Sequence, residues 1–338
     1  MASKGDGKAG SYVRFASDLW AFQISAILSA ALELDVFSAI GKGKRTAAEV
    51  ATATGSQVRG IERLLDTLTA LKYLKKISNR YALEPIAATF LVRESPTYME
   101  GAPQILRGMS MMWSTLADAI RAGASVTGPA SEEQARAFFP TLVKQIFPMN
   151  YTACQSAIRK IPKARLSRIQ RILDIGGGAA AWSIPFAAAL RKARATVIDY
   201  PEMTAIARDY AARFKVGDRF DFLDGNFFDL DWGREQYDLA ILGHIVHGEG
   251  VERAKQLLRR AFDALKPGGI LLIAEFIPNE NRTGPTLALM FGLNMFVATP
   301  DGGVYTMGEY RSWLKEAGFK RVTTLAANAP SPLILAHK

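Results

Sequence analysis

Two hydrophobic periods divide the chain. Up to about residue 165, apolar residues recur at helical spacing, as at Ile27 and Leu34 and again from Ile61 to Leu74. Beyond that point, short β-branched and leucine-rich runs alternate with helical segments. This alternation predicts a mostly parallel sheet that is covered by helices. The pattern therefore indicates a helical N-terminal region followed by an α/β domain.

The N-terminal region contains local signals for three helices and a hairpin. Thr46 and Glu49 form a capping box that predicts the start of a helix, and Gly55 predicts its end. The apolar stripe that begins at Ile61 predicts the next helix, and a short hairpin is expected around Ser78-Asn79. Helices followed by a hairpin are typical of a winged helix.

A winged helix often binds DNA, but a fold does not fix a function. Its third helix has only Arg63 and Lys72 as basic residues, fewer than a recognition helix needs. We therefore expect a winged-helix dimerisation domain over residues 15–95, after a disordered tail over residues 1–14. Residues 96–165 are expected to form a helical linker and substrate-covering region. Binding of nucleic acid is not expected.

Composition narrows the class of protein. The 338 residues carry a net charge of +10, and six basic residues lie between Arg159 and Arg171 without an acid. We interpret this run as a solvated surface, with an anionic-membrane or nucleic-acid patch as the alternative. The single Cys154 excludes an internal disulfide and a cysteine metal cluster, and it suits the cytoplasm. The polar N-terminus and the lack of a long apolar run predict neither a secretory signal nor a membrane span.

The stretch from Arg171 to Trp182 predicts a buried strand, a glycine turn and a helix. Gly176 and Gly178 let the backbone turn tightly against a ligand. Asp174 precedes the first glycine of the turn by two residues and would repel a pyrophosphate. An acid here favours a ligand with a cationic part, such as the amino group of S-adenosylmethionine (SAM). A purely structural turn is the alternative.

Polar residues follow the next two predicted strands. Asp199 ends the second strand, 25 residues after Asp174, where an acid can accept hydrogen bonds from ribose hydroxyls. Asn226 and Phe227 follow the third strand. Asn226 can pair with the amino edge of adenine, and Phe227 can cover the face of the ring. The sequence therefore predicts a nucleoside site at the carboxyl edge of the sheet.

Candidate catalytic residues follow the fourth and fifth strands. His247 can accept a proton near neutral pH, and Glu275 can hold its other ring nitrogen. Two alternatives remain: a packed loop histidine, and a metal site formed by His244, His247 and an acid. Methionine and aromatic residues between 97 and 155, among them Met112, Phe138 and Met149, suit a pocket for a flat ring or simple core packing.

In these residues the chain resembles the SAM-dependent O-methyltransferases of the caffeic-acid and acetylserotonin type, which include bacterial enzymes that tailor aromatic polyketides. The resemblance extends from about residue 15 to the end. It rests on six motifs in the family's order: LDIGGGAA, VIDYPEM, LDGNFFD, GHIVHGEG, LKPGGILLIAEFIP and TPDGGVYTMGEYRSWLKEAGF.

The resemblance implies the fold and the assembly. The fold would be α/β: a Rossmann-like class I SAM methyltransferase sheet over residues 166–338, with seven strands of which the last is antiparallel, and an N-terminal all-α winged-helix dimerisation domain. The assembly would be a homodimer in which residues near Phe22 and Gln23 reach the partner's site.

The resemblance also implies roles for single residues. His247 matches the family's general base, and Glu275, 28 residues later, matches the acid that orients it. The residues expected to contact SAM are Asp174, Gly176, Gly178, Asp199, Asn226, Phe227 and Gly243. The residues expected to contact the substrate are Met112, Phe138, Met149, Met295 and Thr299. No metal is expected, and the product of the cofactor would be S-adenosylhomocysteine (SAH).

Five positions depart from the family's pattern. Ala180 replaces the third glycine of the loop, Gly243 replaces a lysine, and Gly248-Glu249 replaces Asp-Trp. Val304 stands where the family has a second orienting acid. We predict methyl transfer to a hydroxyl of a small phenolic, naphthoate or polyketide-like aromatic. The alternatives are methylation of carbon or nitrogen, and a DNA-binding regulator with a vestigial SAM site. The acceptor and its regiochemistry are not fixed by the sequence.

Overall fold

A computed structural model describes residues 6–126 and 132–338, and it separates them into two compact units. The first unit extends to Ser110, and the second comprises Met111–Lys338. This division differs from the boundaries expected after residues 95 and 165. The reason is packing, because the long helix before residue 165 shares a core with the sheet that follows it.

The first unit is helical apart from one hairpin. Its elements are α1 (Asp6–Leu19), α2 (Phe22–Glu33), α3 (Val36–Gly41), α4 (Ala47–Thr54), α5 (Val58–Ala70), β1 (Leu74–Ile77), β2 (Arg80–Leu83), α6 (Pro85–Phe90) and most of α7 (Ala102–Trp113). The disordered tail expected over residues 1–14 therefore has to be corrected from Asp6 onward, where the chain is helical up to Leu19. Polar composition alone suggested a tail, but these residues continue directly into the turns of one helix.

The local signals of this unit are present in the structure. Thr46 and Glu49 form a reciprocal capping box at the start of α4, and Gly55 ends the helix with φ +63°. β1 and β2 pair antiparallel around Ser78 and Asn79, both of which have positive φ. The predicted order of helices and hairpin is thus observed, while the assignment to the winged-helix class stays a prediction.

The first unit buries one face of its helices and leaves another exposed. Its core includes Phe37, Leu65, Leu68 and Tyr81. Seven apolar side chains of α1, α2 and the turn between these helices are between 45% and 70% exposed: Tyr12, Val13, Phe15, Leu19, Trp20, Phe22 and Ile24. Among the described residues no single helix is long and apolar enough to span a membrane, while one bent pair, Ser11–Leu19 with Phe22–Glu33, passes on length and composition.

The second unit surrounds a seven-stranded sheet. Its helices are α8 (Leu116–Ala122), α9 (Glu132–Lys160), α10 (Lys163–Leu166), α11 (Ser183–Ala189), α12 (Pro201–Arg213), α13 (Gly250–Ala264), α14 (Thr286–Ala298) and α15 (Met307–Ala317). Its strands are β3 (Arg171–Ile175), β4 (Arg194–Asp199), β5 (Phe220–Asp224), β6 (Tyr237–Gly243), β7 (Leu265–Ala274), β8 (Arg321–Leu325) and β9 (Leu333–His337).

The strand order in this sheet is β5-β4-β3-β6-β7-β9-β8. Only β9, the last strand of the chain, is antiparallel to its neighbours. The prediction of a mostly parallel sheet with an antiparallel last strand is therefore confirmed. One face packs against residues of α9, α11 and α12, and the other against α13 and α15.

The order of the strands determines where a ligand can bind. β3 lies in the middle, with β4 on one side and β6 on the other. The chain therefore leaves β3 toward one edge of the sheet and later returns to its other side. Ligands of open α/β sheets bind outside the carboxyl ends of the strands at such a reversal. The loops after β3, β4, β6 and β7 are consequently the place to look for a site.

Candidate active site

The loop after β3 needs its glycines. Gly176 and Gly178 have φ of +59° and +55°, which side chains rarely adopt. A Cβ on Gly176 would lie 2.5 Å from Cδ1 of Ile245, and one on Gly178 would lie 2.9 Å from Cγ1 of Val143. Ala180 is also left-handed, with φ +57°, and its methyl group is fully buried. The loop thus tolerates the alanine that replaces the family's third glycine.

Asp174 lies beneath this loop rather than at its surface. Its side chain is enclosed, and Oδ2 accepts a hydrogen bond from Oγ of Ser183 at 2.5 Å. Burial raises the pKa of Asp174 to about 7, although the hydrogen bonds from Ser183 act in the opposite direction. The sequence placed Asp174 beside a cationic ligand, and the structure gives its carboxylate a partner within the protein.

Asp199, at the end of β4, reaches the same loop. Its Oδ2 accepts the backbone N–H of Gly178 at 2.8 Å, and its Oδ1 accepts the N–H of Tyr200 at 2.8 Å. Burial raises the pKa of Asp199 to about 6. The structure therefore brings together the two residues that the sequence assigned to the loop and to the ribose.

The loop after β5 contributes Asn226 and Phe227. The Asn226 side chain accepts the backbone N–H of Phe228 at 2.9 Å through Oδ1 and so stabilises its own turn. The Phe227 ring has an edge carbon 3.7 Å from the Cβ position of Gly176. Phe227 is therefore beside the glycine loop, as a cover for a bound ring would be. Part of the hydrogen-bonding capacity of Asn226 is already used locally.

His247 and Glu275 form a close pair. Nδ1 of His247 lies 2.7 Å from Oε2 of Glu275, and the backbone N–H of His247 donates to Oε1 at 3.2 Å. Burial alone would raise the pKa of Glu275, but the facing imidazole of His247 and its hydrogen bonds lower it below the ordinary value. Because a carboxylate only accepts, Nδ1 carries a proton, and a neutral ring in this position has its lone pair at Nε2.

A second imidazole lies next to this pair. Nδ1 of His244 is 4.0 Å from Oε2 of Glu275, and the residue adopts φ +62°. Burial lowers the pKa of His244 to about 4, so its ring is neutral. His244, His247 and Glu275 each place one potential ligand atom within 4.8 Å of the others. The distance of 2.7 Å between Nδ1 of His247 and Oε2 of Glu275 is typical of a hydrogen bond, which favours a hydrogen-bonded pair over two ligands of one metal ion.

Aromatic and apolar residues surround His247. The rings of Phe276 and Phe291 stack at 3.8 Å and 16°, and Phe291 meets the ring of His247 edge-on at 4.8 Å. Met295 lies one turn after Phe291 on α14 and is buried. Thr299 donates to the carbonyl of Met295 at 2.7 Å through Oγ1. The sequence motifs did not single out Phe276 and Phe291, although Phe276 directly follows Glu275.

Val304 replaces an acid with a packing contact. It is buried, and its Cγ2 lies 2.9 Å from the Cβ position of Gly292 on α14. His247 therefore has Glu275 as its carboxylate, and the place of the family's second acid is apolar.

Gly243, the last residue of β6, leaves room for an indole. A Cβ on Gly243 would overlap Cδ1 of Trp182. The indole therefore occupies the space where a side chain at position 243 would begin.

Three predicted substrate residues lie in the part of the chain that forms the second unit. Met112 is near the end of α7 and half-buried, and Phe138 and Met149 lie on α9 with exposed fractions of 45% and 36%. The contacts of His247 described above involve Phe291 and Glu275 rather than these three residues. Their part in binding a substrate stays a prediction.

Comparison with known proteins identifies the family of the chain. Residues 113–320 match the model of the O-methyltransferase domain, and residues 19–93 match that of the O-methyltransferase dimerisation domain. The chain is 31% identical over 318 residues to 3-hydroxy-5-methyl-1-naphthoate 3-O-methyltransferase of Streptomyces sahachiroi, covering 93% of this chain and 90% of that protein. It is 29% identical to the tetracenomycin polyketide synthesis 8-O-methyl transferase of Streptomyces glaucescens, with 94% of each chain covered.

A solved structure is similar along the whole chain. The crystal structure of human N-acetylserotonin methyltransferase in complex with SAM matches with a TM-score of 0.81 and 27% identity, covering 100% of this chain and 99% of that one.

Proposed function

The chain belongs to the O-methyltransferase family, and we propose that it transfers the methyl group of SAM to a hydroxyl group of a small aromatic compound. The observation that carries this proposal is the contact of 2.7 Å between His247 and Glu275. This pair follows β6 and β7, next to the glycine loop after β3. A base and a nucleoside-type loop at neighbouring strand ends are what a methyl transfer to oxygen requires.

The residues around the loop fit SAM. The side chains of Ile245 and Val143 leave no space for a Cβ on Gly176 or Gly178, so the loop after β3 keeps a bare backbone, and Asp199 can accept hydrogen bonds from ribose hydroxyls. Phe227 can cover the adenine, with the amide of Asn226 at its edge. Bound there, SAM supplies an electrophilic methyl group on a sulfonium that leaves as a neutral thioether. Asp174 would act from beneath by holding the loop through Ser183.

His247 would act as the general base. Its Nε2 would accept the proton of the acceptor hydroxyl, which makes the oxygen a better nucleophile. Glu275 holds Nδ1–H, so the ring keeps the tautomer with a free lone pair at Nε2. The carboxylate also stabilises the imidazolium that forms. General base catalysis of this kind contributes about 10²–10⁴-fold to a rate.

The surroundings of His247 favour an aromatic acceptor. Phe276 and Phe291 stack beside it, and the buried Met295 follows on the same helix. Flat apolar surfaces of this kind bind aromatic rings. Since one relative is named for a hydroxynaphthoate and another for a polyketide, we place the acceptor among naphthoate- or polyketide-like phenols. Thr299 and, from their helices, Met112, Phe138 and Met149 complete the proposed substrate residues.

The first unit would form a homodimer. Residues 19–93 match a dimerisation domain, and the apolar side chains of α1 and α2 that remain exposed provide a surface to bury. We extend the proposal to Phe22 and Gln23, which would reach the partner's site.

The base is tested by replacing His247. Purified protein is supplied with SAM and 3-hydroxy-5-methyl-1-naphthoate, and the methylated product and SAH are quantified. We expect His247→Ala to lower turnover by about 10²–10⁴-fold while the calorimetric affinity for SAH changes little. His337→Ala is the matched control. His337 ends β9, which runs antiparallel to β7, so it lies away from the carboxyl ends of the parallel strands where His247 is found.

Two results would count against the assignment. Equal turnover of His247→Ala and the unchanged protein would exclude His247 as the general base. Methylation at carbon or nitrogen, found by mass spectrometry and NMR of the product, would replace O-methylation. If the naphthoate is inert, N-acetylserotonin and simple naphthols are the next acceptors, and SAH binding still reports on the cofactor site.

The dimer is tested by placing charge on its apolar surface. We expect the double variant Phe15→Glu, Phe22→Glu to be monomeric by light scattering, because burying two carboxylates without partners is costly. Arg59→Glu, on an exposed position of α5, should remain dimeric. A monomeric unchanged protein would contradict the proposal.

A further inference from the structure

Two polar side chains at the end of β6 have no hydrogen-bond partner among the described residues. They are the indole of Trp182, at Nε1, and the imidazole of His244, at both ring nitrogens. All three atoms are enclosed, and the two rings are 6.2 Å apart. Buried polar groups are nearly always hydrogen-bonded, and an unpaired one lowers stability. Two neighbouring exceptions beside a proposed cofactor site indicate groups that are satisfied by a ligand.

The indole lies against the open backbone of Gly243. The Cβ position of Gly243 is 2.6 Å from Nε1 of Trp182, so the N–H edge of the ring is next to this glycine. Gly243 itself is only half-buried. The indole occupies the space that a Cβ at position 243 would take, so a ligand that lies across the end of β6 would meet the indole edge.

His244 is held close to the same place. Its backbone N–H donates to the carbonyl of Ala274 at 2.9 Å, which fixes the residue at the end of β7. Its ring lies between Trp182, at 6.2 Å, and His247, also at 6.2 Å. A neutral imidazole offers one N–H donor and one acceptor. The pair thus presents two N–H donors between the glycine loop and the proposed base.

The chemical groups of SAM indicate which part of the cofactor these two N–H donors would bind. In the proposed function, Phe227 covers the adenine, Asp199 takes the ribose, and the methyl group faces His247. The remaining polar part is the amino acid, whose carboxylate is the only anionic group of the molecule. An indole N–H and an imidazole N–H match the two oxygens of a carboxylate.

We propose that Nε1–H of Trp182 and a ring N–H of His244 bind the carboxylate of SAM's amino-acid part. This inference rests on the proposed function. Because the nitrogens are enclosed, the carboxylate reaches them when the indole turns over Gly243.

The test compares two ligands that differ in this carboxylate. SAH carries the amino-acid part, whereas 5′-methylthioadenosine retains adenine, ribose and sulfur but lacks it. Calorimetry measures both affinities for the unchanged protein, for Trp182→Phe and for His244→Asn. Phenylalanine keeps an aromatic ring without the N–H, and asparagine tolerates the left-handed backbone of position 244.

We expect each variant to lose about tenfold or more in affinity for SAH and less than about twofold for 5′-methylthioadenosine. Asp199→Asn is the matched control and should weaken both ligands alike, because both contain the ribose. The inference is overturned if SAH and 5′-methylthioadenosine weaken in parallel in both variants, or if neither variant changes SAH binding. Failure of the proposed function has another signature: the unchanged protein would bind neither ligand.

Discussion

Two buried acidic sites lie toward the carboxyl ends of the parallel strands, and the pKa values of their carboxylates are shifted in opposite directions. Near β3 and β4, Asp174 and Asp199 accept hydrogen bonds from a hydroxyl and from backbone N–H groups, and burial raises their pKa values to about 7 and about 6. After β7, Glu275 is just as enclosed, but the facing imidazole of His247 lowers its pKa. Burial is common to both sites, so the partner of each carboxylate decides whether its pKa is raised or lowered.

The difference indicates a division of labour. Glu275 already has the imidazole of His247 as its partner within the protein, and it is in place to stabilise the imidazolium that forms when His247 accepts a proton. Asp199 has only neutral donors, so its charge is better satisfied when ribose hydroxyls are added. One acidic site is therefore preorganised for proton transfer, and the other is completed by the cofactor.

The largest expected effect comes from removing the charge at Glu275. We expect Glu275→Gln to lower turnover by about 10²–10⁴-fold, because an amide neither stabilises the imidazolium nor fixes the tautomer of His247. Calorimetric affinity for SAH should stay within about threefold. Glu316→Gln, which changes an exposed partner of Lys255, is the control. If turnover fell no further than in that control, the two acidic sites would not differ in role.

Asp199→Asn should act on binding instead of turnover. We expect the affinity for SAH to fall by about 10–100-fold, since hydrogen bonds to a charged group are lost. Turnover at saturating SAM should change less than the affinity does. Asp209→Asn, at an exposed position of α12, is the control. A variant that binds SAH normally would exclude Asp199 from the cofactor site.

A smaller effect should appear in the pH dependence of SAH binding. With its pKa raised to about 6, Asp199 is ionised at pH 8 and protonated at pH 5 in the free protein. Ribose hydroxyls donate to the ionised form, so affinity should decrease as the pH falls through 6, by at most about tenfold per pH unit. Calorimetry from pH 8 to pH 5 measures this slope. Asp199→Asn should flatten it, and a slope that persists there would point to Asp174.

The smallest effect concerns stability without ligand. The folded-state pKa of Asp174 is raised from 3.8 to about 7, so the folded protein holds this proton more tightly than the unfolded chain does. The free energy of unfolding should therefore decrease as the pH rises from 4 to 7, with a contribution below about 1.4 kcal/mol per pH unit. Urea unfolding at several pH values should give a shallower slope for Asp174→Asn. An unchanged slope would mean that Asp174 is not the group responsible.

Local signals in the sequence predicted elements in both units of the chain. The capping box at Thr46, the turn at Ser78-Asn79 and the alternation of apolar strands with helices each depend on neighbours along the chain. Sequence order also placed Asp199, His247 and Glu275 at strand ends, because consecutive parallel strands present their carboxyl ends on one edge. Their roles in catalysis stay predictions until the variants are measured.

Other features depended on contacts between distant parts of the chain. The sequence alone could not show that Trp182 lies over Gly243, that His244 comes within 4.0 Å of Glu275, or that Val304 packs on Gly292. It also placed α9 in a linker, although Phe147 and Cys154 are buried in the core of the sheet domain. Periodicity and turn chemistry are properties of adjacent residues, so the sequence determined the elements and their order. Side-chain packing and burial arise only when separate elements meet, so the tertiary structure alone decided the partners and charges within the site.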